Sequence, residues 1–294
     1  MVGRATSVLA SRRLAAFVVA AAVVVTWFIV APYLGHLRLW PAILLVSIAV
    51  LPGTLLLALI ALPLWRKRWL FPAAVVLALL AFGCSALATP TPPGTTSALL
   101  VRLPPDDQAA VRALERGEAP PRIGGYTNAS APRGDTSGWR LTGNFAKLWA
   151  AIFAGWAFIR LFEELSWVVL VAVVIPLVDV ISVYKGPTKA ITSHHFEVYT
   201  AVAIAFVLPG GAAAYLGPPD ILFYALFLAA AQRFGLRVGR TWISITGMYG
   251  LTVILATAID VGGLPALPFL SFGFLAPNAD IIWRRLRASR AATP

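Results

Sequence analysis

Apolar runs of about 18–24 residues, each followed by a short polar stretch, organise most of the 294-residue chain. They lie at about 15–34, 41–64, 69–88, 144–162, 165–184, 216–236, 241–259 and 264–283. At a rise of about 1.5 Å per residue each run makes a helix of about 30 Å, the thickness of a bilayer's hydrocarbon core. The pattern predicts an all-α membrane protein with about eight transmembrane helices. The first run is longer than the h-region of a signal peptide and no small-residue cleavage site follows it, so it is read as a span.

Two stretches break the pattern. Residues 89–143 contain "TPTPPGTTS", "APPRIGG" and "NASAPRGDTSG", a turn-and-breaker composition that predicts a largely flexible loop. Within it, "DDQAAVRALERGE" predicts one short amphipathic helix capped by Asp107, and Asn128-Ala129-Ser130 fits a glycosylation sequon of the kind that arises by chance. Residues 198–211, "VYTAVAIAFVLPGG", hold an apolar core of about 12 residues, too short to cross comfortably. A β-branched extended segment at the membrane surface and a re-entrant piece both fit. The chain thus divides into an N-terminal three-helix membrane segment (1–88), an extracytoplasmic loop (89–143), a second membrane region (144–283) and a basic cytoplasmic tail (284–294).

Composition agrees: 59% of residues are hydrophobic and 12% charged, and mean hydropathy is +0.81. The net charge of +12 would suggest nucleic acid in a soluble protein. Here the basic residues cluster beside apolar runs, as orientation signals and anionic-lipid contacts do, and no nucleic-acid motif is present. The single Cys84 excludes an intramolecular disulfide and a multi-cysteine metal site. No GxxxxGK[ST], no GxGxxG in a Rossmann context and no HExxH occurs, so nothing points to nucleotide, metal or other cofactor chemistry.

Arg4, Arg12 and Arg13 precede the first run, Arg66, Lys67 and Arg68 follow the second, Arg233, Arg237 and Arg240 follow the sixth, and Arg284, Arg285, Arg287 and Arg290 follow the last. With eight spans all these clusters fall on one side, which the positive-inside rule makes cytoplasmic together with both termini. Lys185 and Lys189 dissent. Basic loops without disulfides fit a prokaryotic plasma membrane.

Acids are scarce in this setting, and two of them are candidates for chemistry. Asp179 lies in "VVLVAVVIPLVDVISVY" and Asp220 in "LGPPDILFYALFLAAA". Counting from the span starts puts Asp179 roughly 21 Å up a core of about 30 Å, and Asp220 about 6 Å down from the opposite face. Both carboxylates then sit in the outer third, on consecutive antiparallel helices. An ionised Asp at a helix centre costs about 2.5–3.5 kcal/mol. Two at one depth suggest a pair that shares a proton, one member activating water and the other donating to a carbonyl oxygen. The plainer alternative makes Asp220 a helix-start acid after Gly217-Pro218-Pro219, stabilised by the helix dipole. An ion-coupled transporter would also place acids on a pathway.

These residues resemble the presenilin and signal peptide peptidase family of intramembrane aspartyl proteases. Asp179, followed by "DVISVYKGP", matches the family's first aspartate. Asp220, followed by "DILFYAL", matches its GxGD aspartate, and Pro265-Ala266-Leu267 matches its PAL motif. The resemblance covers roughly 145–283 and implies a presenilin-like fold. It also implies peptide hydrolysis within or near the bilayer by water between Asp179 and Asp220, and transmembrane peptides or signal peptides as substrates. Gly217, Pro265, Ala266 and Leu267 would position the substrate, and neither metal nor other cofactor is implied. Two departures stand out: Val178 replaces the tyrosine usual before the first aspartate, and GxGD reads Gly217-Pro218-Pro219-Asp220. In the family, substrate forms a short strand beside the seventh helix, and "TAVAIAFVLP", 200–209, would supply the partner strand. Alternatives are a catalytically inactive scaffold and a proton-coupled transporter.

Other residues carry bland readings. His194-His195 with Glu197 lack the further ligands of a metal site, Asp260 reads as an interface acid, Glu163-Glu164 offer Arg160 an i,i+4 partner, and Trp40, Trp69, Trp167 and Trp283 mark span ends.

Overall fold

A computed structural model of the chain describes residues 2–34, 37, 39–87, 122–123, 126–127, 138–185, 202–209, 213–259 and 264–291. The expected helix at Asp107, the Asn128 sequon, Lys189, His194, His195, Glu197 and Asp260 lie outside the described residues.

Among the described residues, eight helical segments make up the bundle. The first is α1 (Val2–Val30). The second is broken into α2 (Leu39–Leu45), a π turn (Val46–Val50), α3 (Leu51–Ala61) and a 3-10 turn (Leu62–Arg66). Proline explains the breaks. Pro52 has no N–H for the Ile48 carbonyl and its ring crowds that group, so the turn before it widens and the Leu51 N–H reaches back to Val46 O instead. There follow α4 (Leu70–Leu87), α5 (Gly138–Phe158), α6 (Leu165–Lys185), α7 (Pro218–Arg233) and α8 (Val238–Ala258). The last segment is α9 (Leu267–Leu275), bent at Ala276–Asn278 where Pro277 interrupts the ladder, and continued as α10 (Ala279–Ala291). The expected tail from 284 is therefore helical as far as Ala291.

Three of the segments, Ser11–Val30, Trp40–Arg66 and Leu165–Lys185, are long and apolar enough to cross a membrane. The others are shorter or carry polar residues, among them Asn144 and Lys147 on α5 and Asp220 on α7. α5 and α7 can carry these residues because neighbouring helices pack against them. α7 is the centre: Tyr224 to Ala231 are all buried, with α5, α8 and α9 packed around it. α6 is peripheral, leaning chiefly on α9 with a shorter contact to α7. Leu170, Val173, Leu177 and Ile181 on its far side are exposed.

Glycines set the closest approaches. A Cβ on Gly155 of α5 would lie 2.3 Å from the Leu222 carbonyl of α7, and one on Gly250 of α8 would lie 2.7 Å from Ser47 O in the π turn.

One end of the bundle gathers the basic loops. Arg160 donates to Lys67 O, Arg233 to Ile159 O and Arg285 to Phe234 O, and Arg237 forms a forked ion pair with Asp280 at 2.7 Å. Arg160 does not pair with Glu163 or Glu164 as expected. The chain leaves the helix at Phe162, so the i,i+4 geometry is absent, and Glu164 accepts from Ser166 instead. Fully buried Asn278 fastens this end. Its amide donates to Thr241 Oγ1 and Phe274 O, both at 2.8 Å, and accepts from the Arg237 N–H at 3.0 Å. Asn278→Leu strands all of these groups, and a loss of about 2–4 kcal/mol is expected, read as a clear fall in Tm of the detergent-purified protein.

A small antiparallel sheet lies toward the opposite end. It contains β1 (Arg122–Ile123), β2 (Tyr126–Thr127), β3 (Ile204–Val207) and β4 (Ala213–Leu216), in the order β1-β2-β4-β3. Residues 198–211, whose form the sequence left open, thus contribute a strand at 204–207. The loop expected at 89–143 gives up Gly138 onward to α5 and supplies β1 and β2.

Candidate active site

β4 runs directly into Gly217, the N-cap of α7. Pro218 and Pro219 fill the first two helical positions. Having no N–H, they leave no orphan donor where a helix start would otherwise expose one. Asp220 is the third position. Its backbone N–H bonds Gly217 O at 3.1 Å, and its carboxylate turns back on the Gly217 N–H, the N3 half of a capping box, the other half being impossible for a glycine N-cap. A Cβ on Gly217 would come within 3.2 Å of Asp220 Oδ2, so glycine here leaves the carboxylate room.

Asp179 reaches the site from α6, three residues after Pro176. Its Oδ2 accepts the Leu267 N–H at 3.0 Å. Leu267 is the first residue of α9, capped by Ala266, so Asp179 satisfies one of that helix's orphan donors and meets the positive end of its dipole. Pro265, Ala266 and Leu267 are buried. Asp179 lies near enough to Asp220 for its charge to bear on that residue. The starts of α7 and α9 thus each hold one carboxylate, Asp220 beside Gly217 and Asp179 on Leu267, while Pro265 and Ala266 lie buried just before Leu267.

Two features escaped the sequence. Tyr249 of α8 is buried with its hydroxyl facing the Asp220 carboxyl closely enough to act on it. Nothing in its surroundings, "ITGMYGL", marks it out. Val178, next to Asp179, is 52% exposed on the outer face of α6. The second is the treatment of β3, whose outward groups are held by side chains of α1 and α5.

Among the described residues no group of three or more His, Cys, Asp or Glu side chains is placed to hold a metal. No protein-family model, curated protein or solved structure matches the chain.

Proposed function

We propose that the chain is an intramembrane aspartyl protease of the presenilin and signal peptide peptidase type, embedded by eight spans with both termini cytoplasmic. The observation that carries the reading is the Asp179 carboxylate, bonded to Leu267 of the PAL motif while its charge bears on Asp220. One carboxylate takes a proton from water as the water oxygen attacks the scissile carbonyl. The other, protonated, donates to the carbonyl oxygen. Collapse of the tetrahedral intermediate returns a proton to the leaving amide nitrogen. Gly217 and the PAL segment line the approach, and β3–β4 stands beside α7 to receive a peptide whose own helix has opened. The basic loops, gathered at the end away from the carboxylates, support an outward-facing site in a prokaryotic plasma membrane.

The test is purification in detergent with an internally quenched transmembrane peptide. Cleavage that vanishes in Asp179→Asn and in Asp220→Asn separately supports the reading. Proton or solute flux that vanishes with the same substitutions, without peptide products, would make the chain a transporter.

One observation favours a second reading. Each carboxylate also satisfies a helix start, Asp179 that of α9 and Asp220 that of α7. A scaffold that has lost catalysis would keep both; it would give no peptide products, and Asp179→Ala and Asp220→Ala would change its stability alone.

The strand bears on cleavage too. In Ile204→Pro the residue facing Leu216 loses its N–H, and kcat/KM is expected to fall about tenfold or more with assembly intact. Val202, expected in the strand, precedes it and is exposed. Val202→Pro should cleave normally, and full activity in Ile204→Pro would remove β3 from the mechanism.

A further inference from the structure

The outer edge of β3 is covered. The carbonyls of Ala203, just before the strand, and of Ala205 and Val207, together with the Ala205 N–H, are held by side chains of two helices. Lys147 Nζ donates to Ala203 O at 2.7 Å. Asn144 accepts the Ala205 N–H at 2.7 Å and donates to the Ala205 carbonyl at 2.9 Å, the pair of bonds that a residue of a neighbouring strand would make. Trp27 Nε1 donates to Val207 O at 2.9 Å. A strand arriving on this side would have to break all of these bonds and move α1 and α5.

β4 differs. Because the groups of Ala205 point outward, alternation turns those of Ala214 and Leu216 toward β3 and those of Ala213 and Tyr215 to the far side. On that side stands β2, antiparallel, with Thr127 opposite Ala213 and Tyr126 opposite Ala214. Among the described residues β2 is two residues long and is backed by β1, also two residues long. Both come from the connection between α4 and α5. A hairpin this short has little stability of its own, and β4 leads on through Leu216 to Gly217 and Asp220.

We infer that β2 is an internal occupant of the strand edge that a substrate must use. At rest the chain lays its own Tyr126–Thr127 on β4, and a transmembrane peptide displaces this segment to run along Ala213–Leu216 toward Asp220. The inference rests on the protease reading for its substrate and adds a regulatory step to it. A longer strand wins over two residues, and apparent affinity is lowered by the fraction of molecules in which β2 is in place.

The experiment uses the full chain in detergent with Asp179→Asn, titrated with a fluorescent transmembrane peptide. Thr127→Pro removes the N–H opposite Ala213 and is expected to tighten binding about tenfold, the effect of a segment that occupies the edge in about nine molecules of ten. Tyr126→Cys with Ala214→Cys, in a Cys84→Ala background, places thiols at the non-hydrogen-bonded pair, where side chains lie closest. Oxidation should cross-link them and abolish peptide binding, and reduction should restore it. Unchanged affinity in Thr127→Pro, undiminished binding by the cross-linked protein, or failure of the thiols to cross-link overturns the proposal. Cleavage by protein retaining Asp179 is read separately. Binding that follows β2 without any cleavage keeps the occupancy and removes the protease reading. Cleavage indifferent to β2 removes the occupancy alone.

Discussion

On the proposed protease reading, Asp220→Asn should stop peptide hydrolysis, with kcat falling about 10³-fold, while the protein remains folded. The substitution separates the cap this carboxylate makes from the catalysis that reading gives it. Asparagine keeps an oxygen that can accept the Gly217 N–H, so the cap on α7 survives and Tm should move little. It cannot take up or release the proton that water attack requires. Asp179→Asn acts in the same way through Leu267, since the amide oxygen can still accept that N–H. Alanine at either position removes cap and charge together, and a loss of activity there would not distinguish catalysis from collapse of a helix start. Measured together, the initial rates on a quenched transmembrane peptide and the Tm of each variant decide the matter. A protein that cuts equally well with Asn at position 220 is not an aspartyl protease.

The second large effect concerns packing. Gly155→Val should prevent α5 and α7 from meeting. The clash is with the Leu222 carbonyl at 2.3 Å and the Leu226 N–H at 3.1 Å, which are backbone groups that cannot swing aside as a side chain could. Overpacking usually costs about 1–3 kcal/mol; with α7 enclosed on every side and no room to shift, the upper end or beyond is expected. Size-exclusion chromatography should show aggregated or unstable protein. Gly53 serves as the control, because nothing lies within 4 Å of a Cβ built there, and Gly53→Ala should behave as the parent does.

How legible these features were depends on how local their causes are. The eight segments follow from apolar runs and the breakers between them, so their existence could be read directly. Their ends could not. α5 begins at Gly138, inside what composition marks as loop, because Leu141 of that stretch finds the core. α10 runs past residue 284 because its arginines share a helix with Ile281, Ile282 and Leu286, which turn toward the bundle. That Asp179, Asp220 and the start of α9 belong together was an expectation from the order of the motifs; that Asp179 bonds the start of α9 was not. The bond to Leu267 itself depends on how α6 and α9 rotate against each other, which no residue announces. Asn144 and Lys147 were hidden most deeply. In sequence they look like polar interruptions of an apolar helix, and their purpose appears only when β3 lies against them more than fifty residues later.

The peripheral position of α6 has a consequence for the setting in which the chain works. Most of the circumference of this helix is left uncovered by protein, so in a bilayer its tilt would answer to the thickness of the acyl layer, whereas α7, packed among its neighbours, would hold its angle. Asp179 rides on the first and Asp220 on the second. In lipids with shorter or longer chains than the native membrane, the two carboxylates slide out of level, and turnover should peak at one acyl length and decline on either side.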